Sequence, residues 1–113
     1  MENPKLAAIV DRLAAKTRDG EVPWEATENR NTLQAAFSNW TVRLLQKTPS
    51  LFQISIYNEA GLLLDSATDE DLTTSVQGGA FTTMNHMYNL ARRRAMGVDQ
   101  ALDSFLAELG SGE

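Results

Sequence analysis

Cysteine is absent from this sequence, and disulfides, thiolate zinc sites and cysteine nucleophiles are excluded with it. The absence fits a reducing compartment. There is a single imidazole, His86, so any Ser-His-Asp, histidine acid/base or histidine-metal scheme has to run through one residue. His86 falls two positions from both Met84 and Tyr88, which puts it away from the apolar stripe of its helix, so a surface histidine is the expected reading. No apolar run approaches the roughly 18 residues needed to span a bilayer. The chain begins with an amphipathic segment instead of a basic region followed by an apolar signal core, so the expected location is the cytoplasm, with no membrane partner.

Positive charge is also scarce. Ten Lys and Arg face fifteen Asp and Glu, a formal net charge of −5, and such a field repels phosphate backbones unless a basic face is segregated. The one dense basic segment is Arg92, Arg93 and Arg94. Consecutive helical residues point about 100° apart, so the triplet fans around its helix and reads as a solvated face with internal ion pairs. Nucleic acid is not an expected partner.

What is present describes one ordinary domain. At 113 residues, with 42% hydrophobic and 22% charged side chains, the chain suits a single α+β domain over residues 1–113. Asn3 and Pro4 form a helix start, Leu6, Ile9, Val10 and Leu13 repeat at helical spacing, and Lys16 and Arg18 precede Gly20. A helix over 4–18 follows. Glu21 to Asn31 reads as a connector in which Trp24 anchors the helix to the sheet.

From Thr32 the period becomes two. Leu33, Ala35 and Phe37 share a face, then Trp40, Val42 and Leu44, then Phe52, Ile54 and Ile56. Turns are expected at Ser38-Asn39, at Thr48 to Ser50 and at Asn58 to Gly61, and Leu62 to Leu64 completes a fourth strand. The expected sheet is a four-stranded antiparallel meander, with strands at about 32–37, 40–46, 51–57 and 61–65, one face covered by helices and one partly wet. Asn39-Trp40-Thr41 has the form of a glycosylation sequon, but Asn39 is better explained as a turn residue.

Ser66 to Gly79 reads as irregular, with Asp65, Asp69, Glu70 and Asp71 as solvated or helix-capping carboxylates and Thr68 capping a helical turn. Their spacing lacks the calcium-loop pattern, and no metal or other cofactor is expected. Gly78-Gly79 reads as a helix boundary, with no phosphate-loop lysine after it. Met84, Met87, Phe81 and Tyr88 then read first as core against the sheet, and as an adaptable partner surface second.

Over about 80–109, Met84, Tyr88, Ala91, Ala95, Val98, Leu102, Phe105 and Leu109 alternate spacings of four and three. That stripe admits one long helix or two that break near Gly97 with Asp99 capping the second. Length favours the break, since a helix of about 30 residues, roughly 45 Å, overhangs a domain of this size unless it packs on a second subunit.

Leu13, Thr17, Gly20, Trp24 and Thr27 near the start, Tyr57 and Gly61 in the sheet, and Tyr88, Ala91, Arg92, Arg93, Ala95, Gly97, Val98, Asp99, Ala101, Leu102, Asp103, Leu106 and Leu109 near the end form a pattern. With it the chain resembles a group of small, stand-alone bacterial proteins of uncharacterised function. The resemblance spans residues 6 to 109 and implies a bacterial cytosolic protein in which Trp24 and the Gly97 junction are architectural. It assigns no catalytic or ligand-binding residue.

The functional expectation is a non-enzymatic protein–protein interaction module whose partner is a second copy, as a homodimer, or another protein. The alternative is a sensor of a small anionic or nucleotide-like ligand. Trp24, Tyr88, Arg92 and Arg93 would meet such a ligand, and Leu102 and Phe105 would meet a protein.

Overall fold

A computed structural model describes residues 4–72 and 78–110. The elements run α1 (Pro4–Arg18), β1 (Glu25–Ala26), β2 (Thr32–Ala36), β3 (Trp40–Thr48), β4 (Leu51–Asn58), β5 (Leu63–Thr68), α2 (Ala80–Ala95) and α3 (Val98–Gly110). The architecture is α+β, and the five strands pair antiparallel in chain order. The sheet therefore has one strand more than the sequence implied. The additional β1 pairs Glu25 with Gln34 and Ala26 with Leu33 inside the segment expected to be a connector. The last strand starts two residues later and ends three residues later than the 61–65 expected, and it takes Ser66 to Thr68 out of the irregular stretch.

α1 forms and stops as its residues dictate. Leu6, Ala7, Val10, Leu13, Ala14 and Thr17 are its buried face. At its end the amide of Gly20 donates to the carbonyl of Thr17 and that of Glu21 to Lys16, with Gly20 at φ 75°. This is the double hydrogen bond of a Schellman close, which needs a left-handed residue after the helix. The expected cap at Asn3 lies outside the described residues.

Cross-strand register sorts the sheet into two faces. Leu33, Leu44, Ile54 and Ala67 form one continuous row across β2 to β5, and Ala35, Val42, Ile56 and Asp65 form the next. The first row is buried throughout, whereas the second grades from buried Ala35 and Val42 through half-buried Ile56 to exposed Asp65. Helix cover thus ends part-way along the second row. On the other face Arg43 donates to Gln34 (3.1 Å) and lies 5.6 Å from the centre of the Tyr57 ring, which keeps that face wet and polar.

The core joins Leu44, Phe52, Ile54, Val10, Val22, Leu72, Met84 and Met87, all fully buried, each contributing about 1.5–3 kcal/mol by leaving water. Met84, Met87 and Tyr88 are thus core. Phe81 is exposed but its ring centre is 5.7 Å from that of Phe52. α1 packs chiefly on α2, and α2 bridges to β1 through β4. Arg94 Nη1 donates to the Gly20 carbonyl (2.6 Å), tying the ends of α1 and α2 together.

Asp69 departs from expectation. It is buried, and its Oδ1 accepts the backbone N–H of Phe52 at 2.7 Å while its own N–H donates to the Phe52 carbonyl at 3.0 Å. Sequence reasoning read it as solvated because it sits in an acidic loop. Its burial is set by a strand 17 positions away. Thr68 and Asp71 do form the expected reciprocal turn: the Thr68 amide donates to Asp71 (3.0 Å) and the Asp71 amide to the Thr68 hydroxyl (3.3 Å). Donation to the carboxylate from the Thr68 backbone first, and its side chain second, holds the Asp71 pKa below the usual carboxylate value.

α2 ends at Met96-Gly97, where Gly97 takes φ 59°, so the break near Gly97 is present. Asp99 does not cap the second helix. It lies within the first turn of α3, paired with Arg93, and the Ala101 amide bonds to the Gly97 carbonyl. The break also does not fold α3 back onto the body: α3 has no buried residue, and the molecule measures 58 × 32 × 25 Å with a radius of gyration of 15.7 Å. A compact domain of this length would be closer to 13 Å.

Candidate functional site

The six residues singled out by sequence fall in three different environments. Trp24 is buried, and its indole Nε1 donates to the Thr17 hydroxyl (3.0 Å), which itself donates to the Leu13 carbonyl (2.7 Å). Tyr88 is buried with its ring centre 5.4 Å from that of Phe52. Arg92 and Arg93 point to separate depressions. Arg93 shares one of about 400 Å³ with Thr17, Trp24, Arg94 and Asp99, and Arg92 shares one of about 690 Å³ with Tyr88, Glu28, Arg30, Asn31 and Asn89.

A depression beside Trp24 therefore exists, but its cations are occupied. Arg93 pairs with Asp99, and Arg94 donates to Gly20. Trp24 lines it but is buried, so little of its ring is presented there for stacking. His86 is exposed, and among the described residues no three metal-ligating side chains come together.

Tyr88 carries a testable electrostatic consequence. Burial raises its phenol pKa above 10, opposed in part by Arg92. A raised folded pKa favours the neutral phenol in the fold, so this contribution to stability is present below the unfolded value near 10 and is lost as pH rises through the folded value. Alkaline titration followed by phenolate absorbance is expected to show a late step that disappears in Tyr88→Phe. A step of unchanged position in that variant would assign the shift elsewhere.

Leu102 and Phe105 lie on α3, and here the structure is most distinctive. Leu102 is 48% exposed, Phe105 57%, and Leu106 and Leu109 64% each. At 100° per residue these four share one side of the helix, with Asp99 and Asp103 along one border and Glu108 along the other. The stripe that continues from α2 is thus buried at Met84, Tyr88 and Ala91 and open to water beyond Gly97.

A second apolar surface was not visible in the sequence. α1 and the uncovered end of the sheet enclose a groove of about 620 Å³, with Ile9 and Leu13 on one wall and Phe37, Trp40, Val42, Ile56 and Leu64 on the other. Lys5, Arg12 and Lys16 stand along its α1 side and Asp65 at its sheet side. Four elements and a turn build it, so no single period in the sequence marks it. The two large aromatics Phe37 and Trp40, placed on either side of the Ser38-Asn39 turn, were the available signal.

No family model matches this chain, and no curated protein or solved structure matches it. Among the described residues no helix is long and apolar enough to cross a membrane.

Proposed function

We propose that this protein is a non-enzymatic protein–protein interaction module that self-associates as a homodimer through α3. The observation that supports this is the open apolar side of α3, which its own chain does not bury. A 13-residue helix is marginal in water without tertiary packing of its apolar face, so a surface that packs against it supplies what the chain itself does not. The small-ligand reading is weaker, since its aromatic residues are core and the Arg93 guanidinium is paired.

Light scattering across a concentration series is expected to give twice the chain mass. Leu102→Lys/Phe105→Lys keeps good helix formers while removing two apolar anchors, and is expected to weaken the dimer by about a hundredfold or more. Both residues are solvent-facing in the single chain, so the circular dichroism spectrum should be retained. A wild-type monomer at high micromolar concentration, or a dimer indifferent to this double substitution, would overturn the proposal.

A further inference from the structure

Self-association through α3 leaves open what receives it, and two unpartnered apolar surfaces on this chain suit one another. The groove beside α1 has apolar walls and a rim of Lys5, Arg12 and Lys16, and Asp65 is the one acid that lines it among the described residues. The apolar side of α3 is flanked by Asp99, Asp103 and Glu108, and α3 contains no basic residue. Three of the ten cations thus stand beside one apolar surface and three of the fifteen acids beside the other, with Lys16 and Asp99 also paired inside the chain to Glu21 and Arg93. Opposite potentials of this kind select a partner and its orientation more than they add affinity.

The dimensions agree as well. α3 is 13 residues long, about 20 Å, and the α1 wall from Lys5 to Lys16 runs about 16 Å. A helix laid in such a groove engages through residues three and four apart, and Leu102, Phe105, Leu106 and Leu109 have that spacing.

The helix does not lie in the groove of its own chain, since no α3 residue lines it. Only Met96 and Gly97 separate α2 from α3, and two residues span at most about 7 Å. The groove contains no α2 residue and is walled by the Lys5, Ile9, Arg12 and Lys16 side of α1, so α3 would have to pass across α1.

Resting on the reading of the protein as a self-associating module, we infer that α3 of one copy lies in the α1-and-sheet groove of a second copy, and that the exchange is reciprocal. Two different patches then meet twice about a two-fold axis, and the assembly closes as a dimer. An anionic membrane is a poor alternative occupant for α3, since interfacial helices of that kind carry Lys and Arg on their polar side. Another protein's helix in the groove is an outcome of the test below.

Complementation between two defective chains tests the exchange. Leu102→Lys/Phe105→Lys disables α3 and leaves the groove; Ile9→Glu/Leu64→Glu changes two exposed groove residues and leaves α3. Each alone is expected to be a monomer by light scattering, and an equal mixture is expected to form a heterodimer through one intact contact. Retention of the circular dichroism spectrum in both variants keeps misfolding out of the interpretation.

If the groove variant stays a dimer while the α3 variant dissociates, α3 meets α3 or another surface; the exchange is overturned and the interaction reading stands. If both dissociate and the mixture stays monomeric, the exchange is also overturned. A wild-type monomer overturns both proposals and leaves a different protein as the partner of either surface. Should the groove variant misfold, charge reversal decides: Lys5→Glu/Arg12→Glu alone is expected to weaken the dimer about two- to fivefold. Adding Asp103→Lys/Glu108→Lys in the same chain is expected to restore it. Absence of that rescue overturns the assignment.

Discussion

Replacing Trp24 by alanine is expected to destabilise the fold by about 3–5 kcal/mol in denaturant unfolding, the usual cost of deleting a buried tryptophan. The indole is 3% exposed and fills the space between the end of α1 and the chain entering β1, so its loss removes buried apolar contact and leaves a void there. Thr17 stays satisfied in that variant, because its hydroxyl still donates to Leu13. The penalty is therefore one of packing more than of a stranded polar group. Thr17→Val does the reverse: it preserves volume, strands the indole N–H, and should cost about 1–3 kcal/mol. Trp40, at 51% exposure, is the comparison: on the Leu102→Lys/Phe105→Lys background, which leaves the groove without α3, Trp40→Ala should cost clearly less than Trp24→Ala. Near-equal effects at the two tryptophans would mean that Trp24 is not the anchor described.

Phe52→Ala is the second large effect, at about 3–5 kcal/mol from the lost side chain and its cavity. Part of this loss comes from the tilted ring contacts at 5.7 Å to Phe81 and 5.4 Å to Tyr88, aromatic pairs that contribute about 0.5–1.5 kcal/mol each beyond area. Those contacts join the sheet to α2, so the variant should also loosen α2 as a unit, read as faster amide exchange over Met84 to Ala91. Against a total stability of about 5–15 kcal/mol for domains of this kind, either substitution removes a large fraction. An unchanged unfolding midpoint for Phe52→Ala would contradict the packing described here.

Elements with a repeating pattern were readable from sequence, and those defined by a single distant contact were not. α1 announces itself through Leu6, Val10 and Leu13 and closes at Gly20; the hairpins show in alternation and in Ser38-Asn39, Pro49 and Gly61. β1 could not be seen, because Glu25 and Ala26 are both exposed and two residues carry no period. Asp69 looked like its acidic neighbours, since what buries it is the amide of Phe52. The apolar stripe through Leu102 and Phe105 was plain, but periodicity tells only that a helix has an apolar side and is silent on what covers it. The break near Gly97 was favoured because one long helix would overhang the domain, and the break is present, yet α3 still leaves the body.

The strand order β1 to β5 bears on how the chain assembles. Each strand pairs with the one made just before it, so the sheet can grow by successive hairpins that each close only a short loop, a process of microseconds for a single hairpin. α1 has no such neighbour. Its main packing partner is α2, and the Arg94 to Gly20 hydrogen bond joins positions 74 apart, a closure whose entropy cost falls late, after the intervening sheet has shortened the path. On this ordering Trp24 and the α1 face contribute little to the rate-limiting step. Trp24→Ala should speed unfolding far more than it slows refolding, whereas substitutions in the β3–β4 hairpin should act on refolding.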